Sequence, residues 1–247
     1  MIVKKIMADA WQGYKANLSV LIYSYTIVLI VILVSISFSV MMINIIPSLL
    51  YLWLGIGLTG MLIASVLEGG FIALCNDALK GRTSMRKMFY FSMNYWKALL
   101  FSSILKTIIH VLLFLPVIIL LLHAINTDSI IFLLFSIMLG IITVFPLLLF
   151  SLPLFSVVLE RTTPLLSIKR SIEVVKSRYI DFIFLHMKII PTVIILLIAI
   201  FIISSITHAI LNFIFLFIFV LFFMPFLTLS YAAFFMFNVS TTKKRKG

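Results

Sequence analysis

The sequence has little charge and almost no cysteine, and both shortages exclude classes of protein. Only 11% of the 247 residues are charged and 7 are acidic, whereas 64% are hydrophobic. Soluble proteins are about half apolar, so one soluble core of this size cannot hide so much apolar surface. Cys75 is the sole cysteine, which excludes an intramolecular disulfide and a cysteine-based metal cage. The composition therefore predicts a protein that spans a lipid bilayer.

Recognisable catalytic motifs are also missing. The sequence contains no HExxH pair, no glycine-rich phosphate loop and no nucleophile with an adjacent base. We therefore expect no enzymatic activity, no cofactor and no metal site. A net charge of +12 suits nucleic-acid binding, but here the charge lies beside apolar segments, so we expect no nucleic-acid partner.

Six apolar segments are long enough to cross a bilayer, since a helix needs about 20 apolar residues to do so. We predict transmembrane helices near residues 18–42, 49–75, 98–122, 129–158, 179–206 and 211–238. The expected fold class is an all-α integral membrane protein, a single membrane domain over residues 1–247 in which six helices form three hairpins.

The positive charges predict the orientation of these helices. The 19 Lys and Arg residues fall into four clusters, at residues 4–15, 80–106, 161–188 and 243–246. The other three connections between predicted spans, near residues 44–48, 123–128 and 207–212, are short and contain no Lys or Arg. Loops rich in Lys and Arg stay in the cytoplasm, so we expect a protein of the cell membrane with both termini inside. Anionic lipid headgroups are the expected partners of the basic clusters, at about 1 kcal/mol per residue.

A short amphipathic segment precedes the first, third and fifth predicted spans. The predicted apolar faces consist of Val3, Ile6, Ala10, Tyr14 and Leu18; of Met85, Met88, Phe89, Ser92 and Trp96; and of Leu165, Ile168, Ile172, Val175 and Tyr179. The basic residues that we expect at the headgroups are Lys4, Lys5, Lys15, Arg86, Lys87, Lys97, Lys169, Arg170 and Lys176. Each segment predicts an interfacial helix on the cytoplasmic face. Three such helices would also suit docking of a soluble partner.

These segments predict an internal repeat. An alignment that matches Ala10 with Ser92 and Ser171 gives three copies, each an interfacial helix followed by a hairpin. The copies span residues 1–78, 79–160 and 161–240, and a basic tail follows at 241–247. Identity between the copies is low, so topology and periodicity carry this prediction.

Two stretches carry a resemblance: GGFIALCNDALKGR followed by MFYFSMNYW, and the later PLLSIKRSIEVVKSRYIDFIF. They look like the six-span membrane domain of some glycerophosphodiester phosphodiesterases and of uncharacterised prokaryotic proteins, over roughly residues 60–190. In that family the later motif has a basic residue, Ser, Trp, a Leu-Thr-Lys-Gly run and an aromatic. Here Arg170, Ser171, Lys176 and Tyr179 match, whereas Ile172 replaces Trp and Ser177 replaces Gly. The resemblance implies a membrane domain without the family's separate soluble phosphodiesterase barrel.

The second and third predicted spans contain Glu68, Lys106 and His110, whose side chains are ionisable. Glu68 lies about twelve residues before the cytoplasmic Lys80, which is a depth of roughly 18 Å at 1.5 Å per residue. Gly60 and Ala64 share its face, and such small residues let another helix approach closely. His110 lies at a similar depth in the next span, with Lys106 one turn nearer the cytoplasm. We predict that Glu68, Lys106 and His110 cluster, either as a structural pair between helices or as a proton-responsive site that attracts cations.

Four prolines, Pro146, Pro153, Pro191 and Pro225, interrupt the last three predicted spans and are expected to kink them. Broken helices near the midplane mark many transporter sites. The sequence therefore favours a non-enzymatic membrane protein, either a small transport or channel module or a lipid-interacting scaffold. Two further arrangements stay open: a membrane subunit that recruits a soluble partner, and a homo-oligomer.

Overall fold

The computed structural model describes residues 2–81, 83–127, 129–189, 191 and 209–246. Nearly all of these residues are helical, and the described part of the chain contains no strand. The helices are α1 (Ile2–Ala16), α2 (Leu18–Ile45), α3 (Leu50–Ala78), α4 (Met85–Asn126), α5 (Ile130–Leu149), α6 (Pro153–Glu160), α7 (Pro164–Ser177), α8 (residues 179–189) and α9 (Ala209–Lys246). The predicted all-α class is confirmed.

Five segments of the described chain are long and apolar enough to cross a membrane. They are Leu18–Ile45, Pro47–Ala78, Met85–Asn126, Ile130–Glu160 and Phe217–Ser240. They correspond to the first four predicted spans and the sixth. Most of the fifth predicted span, residues 179–206, lies outside the described residues. A multi-pass membrane protein is thus supported, whereas the count of six and the orientation stay predictions.

The chain forms two compact units. The first unit comprises Met1–Trp96 and Arg178–Gly247, and the second comprises Lys97–Ser177. In the first unit, one core cluster joins α1, α2, α3, the start of α4 and α9 through Ala10, Tyr14, Leu21, Val28, Phe71, Leu74, Cys75, Ala78, Met88 and Leu229. In the second unit, α7 packs against α5 and α6.

The first predicted amphipathic segment is a separate helix, α1. Its buried face includes the predicted residues Val3, Ile6, Ala10 and Tyr14, so this face is confirmed. Leu18, which was predicted to extend it, is exposed at the start of α2. The buried face packs against α9 and the end of α3. Protein rather than lipid therefore covers the apolar side of α1.

Small residues allow α2 and α3 to pack closely. A Cβ atom on Gly57 would lie 2.7 Å from Ser39 Oγ, and one on Gly60 would overlap the side chain of Ser35. Ala64 is buried further along α3. The structure confirms that the strip of small residues admits a neighbouring helix, and it identifies that helix as α2.

The second predicted amphipathic segment is not a separate helix. Helix α4 runs without a break for 42 residues, so an interfacial helix that ends before a span at residue 98 is wrong. The sequence has no glycine or proline between Met85 and Leu115 that would end a helix. Met88 and Ser92 of the predicted face are buried, whereas Phe89 and Trp96 are exposed.

The prolines have different positions relative to helix ends. Pro146 and Pro225 lie inside α5 and α9. Pro153 is the first residue of α6, where the missing N–H costs no helical hydrogen bond, so it begins a helix and does not kink one. Pro191 is helical, but residues 190 and 192–208 beside it lie outside the described residues.

Helix α7 begins at Pro164, as the sequence predicts, but buries a different face. The buried residues are Ser167, Ser171, Val174 and Val175. On the predicted apolar face, Val175 is buried, Ile168, Ile172 and Tyr179 are half-buried, and Leu165 is 76% exposed. The side of α7 that packs inside the protein is therefore shifted from the predicted apolar face, because hydroxyl groups make part of the contact. Ser171 Oγ donates to the Leu149 carbonyl at 2.7 Å and accepts from the Leu152 N–H at 3.0 Å.

Candidate functional site

A cavity of about 570 Å³ lies in the first unit, where α1, the end of α3 and the last turns of α9 meet. Its volume is within the range of about 300–1,000 Å³ that is usual for small-ligand sites. Charged and polar side chains line it from α1 and from the loop after α3: Lys5, Asp9, Gln12 and Lys80. Helix α9 contributes a mostly apolar wall that includes Ala233, Met236 and Phe237.

Asn17 joins the segments that border this cavity. Its side chain is almost fully buried, since the residue is 4% exposed. Nδ2 donates to the carbonyls of Gly13 at 3.1 Å and Gly81 at 2.8 Å, and Oδ1 accepts from the Thr83 N–H at 3.0 Å. Gly13 and Gly81 both line the cavity. Asn17 therefore fixes the end of α1 to the loop after α3.

Aromatic contacts position α1 along α9. The Tyr14 hydroxyl donates to the Phe222 carbonyl at 2.9 Å, and the Trp11 ring meets Phe226 edge-on with centroids 5.9 Å apart. Burial raises the pKa of Tyr14, so its hydroxyl stays protonated and keeps this bond at neutral pH. Lys15 Nζ lies 4.9 Å from the centre of the Trp11 ring, a cation–π contact.

Most of the basic residues predicted at the headgroups are exposed. Those that are exposed are Lys4, Lys5, Lys15, Arg86, Lys87, Lys97, Lys169 and Lys176. Lys87 pairs with Asp77. Arg170 is half-buried and pairs with Glu160 at 2.7 Å and Glu173 at 3.1 Å, and its hydrogen bonds to Glu160 raise its pKa. Arg170 therefore holds α7 to α6, which removes it from the set of residues that face outward.

Glu68 is half-buried on α3, in the first unit. It interacts electrostatically with Tyr25 of α2, whose ring packs against Phe71 with centroids 5.3 Å apart. In the described part of the chain no basic side chain forms an ion pair with Glu68. The carboxyl group therefore lies near the contact between α2 and α3, within electrostatic reach of the Tyr25 phenol.

Lys106 and His110 lie one turn apart on α4, in the second unit. His110 Nδ1 is 2.7 Å from the Lys106 carbonyl, so a local bond within the helix occupies that ring nitrogen. The structure thus brings Lys106 and His110 together through the backbone. Because Glu68 belongs to the other unit, the predicted cluster of all three stays a prediction.

A contact between a histidine and a tyrosine, which no local sequence pattern predicts, joins α8 to α9. His186 Nε2 lies 2.8 Å from the Tyr231 hydroxyl, and the two rings stack with centroids 5.3 Å apart. His186 Nδ1 lies 2.9 Å from the Phe182 carbonyl, which only accepts hydrogen bonds. In the neutral ring, Nδ1 therefore carries the proton, and Nε2 accepts from the Tyr231 hydroxyl. Only the folded chain brings together these residues, which lie 45 positions apart.

No family model, no curated protein and no solved structure matches this chain. The resemblance of residues 60–190 to a six-span membrane domain therefore stays a prediction.

Proposed function

We propose that this chain is a non-enzymatic, multi-pass protein of the cell membrane that acts as a lipid-interacting scaffold, with its basic helix ends in the cytoplasm. The supporting observation is an imbalance of charge. Four carboxylates already pair with basic side chains: Asp77, Glu160, Glu173 and Asp181. The exposed lysines that form no ion pair within the described part of the chain include five on or beside α1, α3 and α7: Lys4, Lys5, Lys80, Lys169 and Lys176.

Unpaired lysines beside membrane spans attract lipid phosphates, which are the most abundant anions there. Each contributes about 1 kcal/mol near an anionic surface, so five together contribute about 5 kcal/mol. The packing of α1 strengthens this proposal. Other helices cover the apolar face of α1, so α1 binds lipid mainly through its lysines and through Trp11, which is 47% exposed.

The proposal is tested by lipid enrichment around the purified protein in nanodiscs that contain both phosphatidylglycerol and phosphatidylcholine. Wild type should enrich phosphatidylglycerol. Replacement of all five lysines by glutamine should reduce the enrichment, and replacement by arginine should preserve it because the charge is kept. Equal enrichment in the glutamine variant would contradict the proposal. No enrichment in wild type would favour the alternative, recruitment of a soluble partner.

A second candidate function is movement of protons or cations, and the observation that favours it is Glu68. A carboxyl group in the bilayer centre costs about 2.5–3.5 kcal/mol, and residues kept at such a cost commonly mark ion pathways. Glu68 has no basic partner in the described part of the chain. In proteoliposomes, Glu68→Gln should abolish proton flux, whereas Asp9→Asn, which removes a carboxylate outside the spans, should not. Absence of flux in wild type would eliminate this candidate.

A further inference from the structure

The cavity between α1, α3 and α9 brings together two lysines that are far apart in sequence. Lys5 comes from α1, and Lys80 lies two residues after the end of α3. Both are exposed, and neither forms an ion pair in the described part of the chain. Gln12 adds an amide that donates and accepts hydrogen bonds. Two ammonium groups and an amide on one cavity suit an anion with several oxygens.

The net charge of the lining narrows the class of anion. Lys5 and Lys80 each carry +1 and Asp9 carries −1, so the charged lining sums to +1. A phosphodiester carries one negative charge and matches it. A phosphomonoester carries about −1.5 to −2 at neutral pH, and Asp9 would repel the excess charge. The lining therefore favours a phosphodiester over free phosphate.

The wall that α9 contributes requires an amphipathic ligand. Ala233, Met236 and Phe237 offer apolar surface in the same cavity as the two lysines. We propose that this cavity binds the phosphodiester headgroup of an anionic membrane lipid, with Lys5 and Lys80 at the phosphate and the α9 wall against the glycerol and first acyl carbons. The proposal rests on the lipid-interacting function above and gives it a defined site.

Native mass spectrometry of the purified full chain tests the site by titration with phosphatidylglycerol. Wild type should bind one lipid molecule before others follow, and phosphatidylcholine should not replace it. Lys5→Gln and Lys80→Gln should each weaken that first binding about fivefold, the equivalent of about 1 kcal/mol per lysine. Lys4→Gln is the matched control, because Lys4 is exposed on the same helix but does not line the cavity. It should change the first binding by less than about twofold.

A second variant tests the cavity without a change of charge. Ala16 lines it and is exposed, so Ala16→Leu fills space and leaves the fold unstrained. It should weaken the first binding as well. Equal losses in Lys4→Gln and Lys5→Gln would overturn the site and leave the scaffold function intact. Full displacement of the lipid by inorganic phosphate would overturn the lipid assignment. If neither wild type nor any variant prefers phosphatidylglycerol to phosphatidylcholine, the scaffold function itself is contradicted.

Discussion

Replacement of Asn17 by alanine should loosen the junction of α1, α2 and the loop after α3. Two of its hydrogen bonds hold that loop: Nδ2 to the Gly81 carbonyl at 2.8 Å and Oδ1 from the Thr83 N–H at 3.0 Å. A hydrogen bond contributes about 1 kcal/mol net, so these two contribute about 2 kcal/mol. The loss should be local, because both partners, Gly81 and Thr83, lie in the loop between α3 and α4.

Hydrogen exchange at the Thr83 amide measures this loss directly. The amide donates to Asn17 Oδ1, so exchange requires that bond to open. If Asn17→Ala lowers the opening free energy by about 1 kcal/mol, the amide should exchange about fivefold faster. Peptides over residues 79–84, followed by mass spectrometry in nanodiscs, give the rate. Ser19→Ala, at a nearby exposed position, should leave it unchanged.

Unchanged exchange at Thr83 in Asn17→Ala would refute the role of Asn17 as the link between these segments. The variant also bears on the lipid site, because Gly13 and Gly81 line the cavity and both bind Asn17. Faster exchange at Thr83 should therefore accompany weaker first binding of phosphatidylglycerol.

Three further variants test the packing of the helices. Gly60→Ala should lower the stability in detergent by about 1–3 kcal/mol because the added Cβ would overlap Ser35. Gly55→Ala is the control, because no atom lies within 4 Å of its added Cβ, and it should leave the stability unchanged. Thermal unfolding compares the two variants. Ser171→Ala removes two buried hydrogen bonds and should destabilise the chain by about 2 kcal/mol in the same assay. Burial raises the pKa of Tyr14. The stability that its protonated hydroxyl contributes should therefore be lost as the pH rises above the usual tyrosine pKa of about 10. The difference in melting temperature between wild type and Tyr14→Phe should accordingly shrink between about pH 8 and 11.

Local patterns predicted those contacts that depend on one helix at a time. The spacing of Val3, Ile6, Ala10 and Tyr14 identifies the buried face of α1 because apolar residues three and four apart share a side of a helix. The small residues of α3 likewise predict a close neighbour, although not which one. In both cases the physical cause is the period of the helix, which the sequence shows directly.

Contacts between residues far apart in the sequence leave no such periodic pattern in it. Ser167 and Ser171 are buried in α7 because their hydroxyls meet partners elsewhere, and a scale of hydrophobicity assigns them to the outside. Asn17 binds residues 64 and 66 positions away, so its neighbours in sequence reveal nothing of its role. The continuity of α4 was missed for another reason, since a change from amphipathic to apolar character need not end a helix.

The position at which the three predicted copies align has a physical meaning that identity alone does not show. Ala10, Ser92 and Ser171 are all buried. Ser92 donates to a carbonyl of α3 at 3.1 Å, 26 residues earlier, and Ser171 donates to a carbonyl of α5 at 2.7 Å, 22 residues earlier. In the second and third segments a small side chain at this position lets the segment approach an earlier helix, and a larger one would separate them. Ala10 instead packs in the core that α1 shares with later helices. A restriction on volume at this position is what the predicted repeat requires of three segments of low identity. The predicted repeat is best tested by the tolerance of these three positions to larger side chains.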